Sequence, residues 1–282
     1  MKRRSSKFAV ALMALSTLAI PRWTSAQTTE PDQTPAPGAP ISAPPQTPPP
    51  ASQPTPSLDR PVSWKLLLPN VLSDQQRIWS FPARVAEGHN WIPTAIVLGT
   101  AAGLIALDPT EAGYFRRTTT FNGFNNTFTS NATTFGIIAA PVALYGVGLI
   151  RRDSKMQRTA LFAAEAVADA EVVTTVLKDA TKRVRPAGFP SNGNLYDSWF
   201  ESNGSFVRGH GSFPSGHTIA AFSVATVVAR RYGNHRWVPY AAYGMAALVG
   251  FSRLSLSAHF VSDVFMGGVL GYSISRFAVL RQ

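Results

Sequence analysis

The sequence predicts an all-α fold with about six core helices. Two observations lead to the helices. The apolar runs are long and rich in Ala, Leu, Val and Ile, and no series of short segments alternates apolar and polar residues as half-buried strands do. A third observation bears on the site: two long polar stretches, 108–134 and 187–213, separate the runs, and loops of that length are often lids or entrances.

Taken in order, residues 1–26 read as a secretory signal peptide. Lys2, Arg3, Arg4 and Lys7 form a basic start, Phe8 to Ile20 an apolar run that Pro21 breaks, and Thr24-Ser25-Ala26 a small-residue cleavage site. That run is short for a span of about 20 residues, although an uncleaved anchor is the alternative. Residues 27–60 are rich in proline, with Pro44-Pro45 and Pro48-Pro49-Pro50 favouring an extended polyproline tether that cannot bury a core. The folded domain then covers 61–282. Its expected helices are Trp91–Leu107, Phe135–Ile150, Thr159–Leu177, Thr218–Arg231, Trp237–Phe251 and Val264–Leu280, with a shorter amphipathic one over Ser73–Val85.

Composition narrows the chemistry. With no cysteine, the chain has no disulfide, thiolate nucleophile or thiolate-held metal. The formal charge is +11, with a share of it in the basic start. The remaining surplus suits an anionic substrate or an anionic membrane surface, and no nucleic-acid-binding motif accompanies it.

Three short blocks carry the candidate chemistry. In the first, Lys178 precedes Arg185-Pro186 by about two helical turns. The two cations can share a helix face that Pro186 ends, and grip a phosphate there, or form a solvated basic helix end with Lys182 and Arg183. In the second, Pro214-Ser215-Gly216-His217 leads into an apolar run. Ser215 can cap the helix, Gly216 lets the backbone approach a ligand, and the free amides attract an anion beside His217; an ordinary capped helix with a surface histidine has the same letters. In the third, Ser252-Arg253 is followed by His259 and Asp263, four residues apart and so on one helix face. The carboxylate can accept the Nδ1–H and leave Nε2 free to attack, or the two can be a satisfied structural pair.

Together, Lys-x6-Arg-Pro, Pro-Ser-Gly-His and Ser-Arg-x5-His-x3-Asp resemble the complete three-part signature of the type 2 phosphatidic acid phosphatase (PAP2) superfamily, which also includes vanadium-dependent haloperoxidases. The signature runs from Lys178 to Asp263 and the helical pattern carries the resemblance over about 90–282. The resemblance implies a helical bundle whose three blocks meet at one end. It implies that Lys178, Arg185 and Arg253 hold the phosphoryl oxygens with Ser215 and the Gly216 amide. It further implies that His259 attacks phosphorus, Asp263 orients it, and His217 protonates the leaving alcohol and then activates water. His210 lies near in sequence without a role in the pattern, and His89 and His235 look incidental.

The function expected is therefore a phosphatase acting through a phosphohistidine, of the phosphatase branch because haloperoxidases are much larger. No metal or other cofactor is expected; vanadate is expected as an inhibitor, or as the cofactor of a haloperoxidase. The expected substrate is a phosphate monoester or diphosphate, of a lipid such as phosphatidic acid or polyprenyl diphosphate, with a soluble non-specific acid phosphatase as the alternative. The expected setting is extracytoplasmic or periplasmic, with the domain soluble or peripheral and its apolar helices packed on one another. An integral membrane arrangement is the alternative, with Arg151, Arg152, Lys155 and Arg158 then marking a cytoplasmic loop.

Overall fold

The computed structural model describes residues 60–190, 193–201 and 211–281, and every regular element among them is helical. The signal peptide and nearly all of the tether expected from the sequence, and His210, lie outside the described residues. The first elements are α1 (Leu67–Trp79) and α2 (Phe81–Ala86), where one helix over 73–85 was expected. The division falls at Ser80 because Pro82 stands in the first turn of α2, where its missing N–H is harmless, and would have interrupted a continuous helix.

Next come α3 (Trp91–Phe115), α4 (Asn122–Thr127) and α5 (Ser130–Ile150). Helix α3 continues past Leu107 and through Pro109, held there by the burial of Asp108, whose partners lie in the site. Helix α5 begins five residues before the expected Phe135, because the Thr129 hydroxyl accepts from the Ala132 amide and caps it. Much of the stretch 108–134 is thus helical. Its aromatics pack rather than dangle: Phe121 and Phe124 meet Phe251 edge-on at 5.1 and 5.4 Å between ring centres.

Helix α6 (Ser154–Thr181) starts at an Asp153 cap that accepts from the Met156 amide. Helices α7 (Gly216–Arg231), α8 (Trp237–Ser255) and α9 (Val261–Ser273) follow, and a π-helical turn, Ile274–Val279, completes the chain. The main core joins α6, α7 and that turn through Phe162, Ala163, Ala166, Ala170, Val173, Ile219, Val227, Ile274 and Val279.

Helix α9 approaches α7 through two glycines one turn apart. A Cβ on Gly271 would stand 2.3 Å from the Ile219 carbonyl oxygen, and one on Gly267 would stand 2.9 Å from that of Ser215. This contact sets the Ser215 amide on the Asp263 carbonyl at 3.1 Å, so the glycines fix the spacing of two signature blocks.

Glu165 and Asp169 are buried rather than facing outward, covered by α1: Asn70 donates to Glu165 and Gln75 to Asp169 at 2.8 Å, while Arg60 pairs with both Asp74 and Glu165. Glu171, two residues after Asp169 and so on the other side of α6, is exposed. The sequence offers no metal-ligand cluster, yet the fold brings carboxylate oxygens of Asp74, Glu165 and Asp169 within 4.8 Å of one another. That group forms because residues nearly a hundred positions apart meet across α1 and α6. The Arg60 guanidinium already supplies a cation to two of its members.

The expectation that the apolar helices pack on one another fails for α3 and α5. Both are long and apolar enough to cross a membrane, and only 11% of the most apolar window of each is buried. Phe135 and Ile150 are 74% and 85% exposed, and Ile92, Ile96, Leu98, Ile138 and Val142 face outward with them. The helices lack enough apolar partners: the core already has its partners in α6, α7 and the π-helical turn. An outward apolar surface of this extent is what a lipid environment covers.

Candidate active site

The three signature blocks meet where α6 ends, α7 begins, α8 ends and α9 begins. Lys178 lies in the last turn of α6. Lys182 ends that helix in a left-handed conformation (φ 44°), and the chain then runs extended to Arg185 (φ −74°, ψ 150°). Arg185 is therefore not on the face of α6 that Lys178 occupies, contrary to the sequence expectation. The helix stops before Pro186 can end it, and Arg185 enters the site as an exposed residue of the following loop.

Ser215 and Gly216 open α7. Ser215 occupies the cap position, but its hydroxyl accepts from Thr218 Oγ1 (2.8 Å) rather than from a backbone amide. Gly216 has the expected role of making room: a Cβ there would stand 3.4 Å from Lys178 Nζ. The first amides of α7 and the lysine ammonium thus border one space, a suitable place for an anion.

Arg253, in the last turn of α8, is buried and held from three sides. It donates to Ser252 Oγ, to Ser130 Oγ (3.0 Å) and to the Phe128 carbonyl (2.7 Å). Its own carbonyl accepts the amide of His259 at 3.2 Å, tying the arginine backbone to the candidate nucleophile.

His259 lies in the turn between α8 and α9 rather than on a helix, so its approach to Asp263 comes from the cap of α9. The Asp263 carboxylate caps that helix by accepting the Phe260 amide at 2.9 Å. It also accepts from Ser212 Oγ (2.5 Å) and Arg183 (2.7 Å), and stands 3.6 Å from His259 Nδ1, too far for a direct hydrogen bond but close enough to orient and polarise the ring. Nε2, on the opposite edge, is the nitrogen available for attack. Burial pushes the His259 pKa below its ordinary value; Asp263 opposes this, and the charges of Arg185 and Lys178 reinforce it. A neutral imidazole is the form with a lone pair to give.

His217 lies in the first turn of α7. Its Nε2 is 3.2 Å from the Ser130 carbonyl and 2.9 Å from Thr134 Oγ1. A carbonyl only accepts, so Nε2 carries the hydrogen and Nδ1 the lone pair. Burial and the charge of Arg253 lower its pKa to about 4, with smaller contributions from His259 and Lys178. His217 therefore feels Arg253, His259 and Lys178 electrostatically.

Residues 159–282 match the PAP2 superfamily. The matching segment begins inside α6 and contains every residue of the three blocks. Among similar proteins, lipid A 1-phosphatase of Porphyromonas gingivalis is 38% identical over 66 residues, 23% of this chain and 15% of that protein. Phosphatidylglycerophosphatase B of Bacillus subtilis is 35% identical over 108 residues, 36% of this chain and 46% of that protein. The chain thus spans less than half the length of these two relatives. Lipid phosphate phosphatase 1 of Arabidopsis thaliana is 27% identical over 228 residues, covering 71% of this chain and 70% of that protein. The crystal structure of a transmembrane PAP2-type phosphatidylglycerolphosphate phosphatase from Bacillus subtilis aligns with a TM-score of 0.43 at 20% identity, over 73% of this chain and 94% of its own.

The site also uses residues that the sequence does not single out. Arg183, which the charge pattern places on a solvated helix end, is instead buried between the Trp199 and Phe260 rings at 4.3 and 4.0 Å and bonds Asp263, Asp108 and Ser262. Asp108 comes from α3 and also accepts from the amide and hydroxyl of Ser262. The one visible signal for Asp108 was an acid at the end of an apolar run. For Ser212, Ser130 and Thr134 the sequence held none.

Proposed function

We propose that this chain is a membrane-bound phosphatase of lipid phosphates that works through a phosphohistidine on His259, without a metal. One observation carries the reading. A neutral histidine polarised by Asp263 stands beside a lysine, a buried arginine and a helix N-terminus, with a second neutral histidine facing the same space. The relatives' names, each that of a lipid phosphatase, and the exposed apolar faces of α3 and α5 support a lipid as the substrate.

Lys178, Arg185, Arg253 and the Ser215–Gly216 turn hold the phosphoryl oxygens and neutralise their charge, which is most of what phosphoryl transfer requires. The Nε2 lone pair of His259 forms a bond to phosphorus as the bond to the leaving alcohol breaks. His217, protonated once a phosphate dianion offsets the cations around it, gives its proton to the departing oxygen. It then takes a proton from water, whose oxygen attacks phosphorus; the N–P bond breaks and inorganic phosphate leaves. The site faces the extracytoplasmic side, opposite the basic loop at Arg151 and Arg152.

The test is to quench the enzyme in denaturant during turnover of radiolabelled phosphatidic acid. Acid-labile label on the wild-type chain, absent from His259→Ala, is the expected result, with turnover undiminished in EDTA and inhibited by vanadate. Label on the alanine variant, or activity that needs a divalent ion, overturns the reading.

A further inference from the structure

Beside the site an apolar groove of about 340 Å³ runs between α5 and α8, with α7 as its floor. Its upper rim is the segment that also supports the catalytic groups. Phe128 lines the groove while its carbonyl holds Arg253, and Thr133 lines it beside Thr134, which contacts His217.

The floor is in register with His217. Ala221, Val224 and Val228 line the groove and follow His217 at intervals of four, three and four residues, so all four share one face of α7. That face runs about 16 Å from His217 to Val228 at a rise of about 1.5 Å per residue, close to half of the ~30 Å hydrocarbon core of a bilayer.

From this geometry we infer that the groove binds the hydrocarbon chain of the substrate's leaving alcohol. The inference rests on the proposed phosphatase reading, because it is there that His217 protonates the leaving oxygen. Whatever is attached to that oxygen departs from the His217 side of the phosphorus. On that side the next surface is the apolar floor of α7, walled by small residues of α5 and by Met245 of α8. The groove therefore selects for a long chain on the leaving group and leaves the phosphoryl end to the cations.

Gly136 makes the test clean. It lines the groove from α5, and a Cβ there meets nothing within 4 Å, so a large side chain enters the groove without displacing backbone. Gly99 of α3 is equally open and lies outside the groove, and Gly99→Trp serves as the control. Hydrolysis of dioleoyl and dibutyryl phosphatidic acid is measured in detergent micelles for wild type, Gly136→Trp, Met245→Trp and the control. Gly136→Trp and Met245→Trp are expected to lower kcat/KM for the dioleoyl substrate by at least about ten-fold, equivalent to about 1.4 kcal/mol, and to leave the dibutyryl substrate within about two-fold. Equal losses on both substrates, no loss on either, or the same loss in Gly99→Trp overturns the groove's role. Any of these with wild-type turnover intact leaves the phosphatase reading standing, whereas a wild type inactive on both substrates removes that reading and the groove's role with it.

Discussion

Arg183 is the residue whose loss should be felt furthest. It is the shared partner of two buried carboxylates, Asp108 and Asp263, and removing one member of a buried ion pair leaves uncompensated charge at a cost of about 3–5 kcal/mol. Arg183→Met is expected to lose stability on that scale in detergent denaturation and to turn over poorly, since Asp263 then shifts relative to His259. Asp108→Asn should cost less, because the amide oxygen still accepts from Ser262. The histidines give a pH prediction. Both have depressed pKa values in the fold, so folding disfavours their protonation. Their contribution to stability is complete above the ordinary histidine value of 6.5 and is lost as the pH falls toward about 4, the value for His217. Melting temperature should fall across that window, and His217→Gln should flatten the slope. At this scale the sequence displayed the letters of Lys178, Ser215, Gly216, His217, Arg253, His259 and Asp263 because their spacing is local. It hid Asp108, Ser130 and Ser212, whose positions depend on which helix ends meet.

Among the elements, α9 has the least tolerance. Gly271→Ala would set a methyl 2.3 Å from the Ile219 carbonyl, which only a separation of α7 and α9 relieves. Overpacking of this kind costs about 1–3 kcal/mol, and here it also parts the Ser215 amide from the Asp263 carbonyl. Activity is therefore expected to fall further than the melting temperature shift alone accounts for. Gly99→Ala, open on all sides, should change neither. Helices α7 and α8 were legible from their apolar runs to within a few residues. The ends of α3, α5 and α6 were not. Thr129 and Asp153 cap their helices from inside polar stretches, and Asp108 carries α3 onward through a bond to a residue 75 positions later. Local periodicity contains no trace of such a partner.

For the whole molecule, the question is what covers α3 and α5. Their exposed isoleucines, valines and leucines predict that alkaline carbonate leaves the protein with the membrane pellet; recovery in the supernatant would show the faces covered by protein instead. A reporter fused after Arg152 is expected to read as cytoplasmic, since Arg151, Arg152, Lys155 and Arg158 gather at the end of the bundle opposite the site. An all-helical bundle was legible from composition and run length. Whether its runs face protein or lipid was not, because both environments favour the same residues, and only the packing of α6, α7 and the last turn decides which helices are left outside.

The bond between Asp108 and Arg183 also sets an order of events during synthesis. A chain is made from its N-terminus, so on the proposed membrane-bound reading α3 enters the bilayer with a carboxylate near its end long before the arginine that neutralises it has been made. A lone aspartate at that depth is costly, by up to about 3 kcal/mol at the bilayer centre, until Arg183 arrives. Arg183 must then wait for Ser262 and Asp263, near the end of the chain, to fill its remaining bonds. On the proposed mechanism, a nascent chain stalled before α9 has every cation of the site but no orienting carboxylate, and is expected to stay silent until α9 is in place.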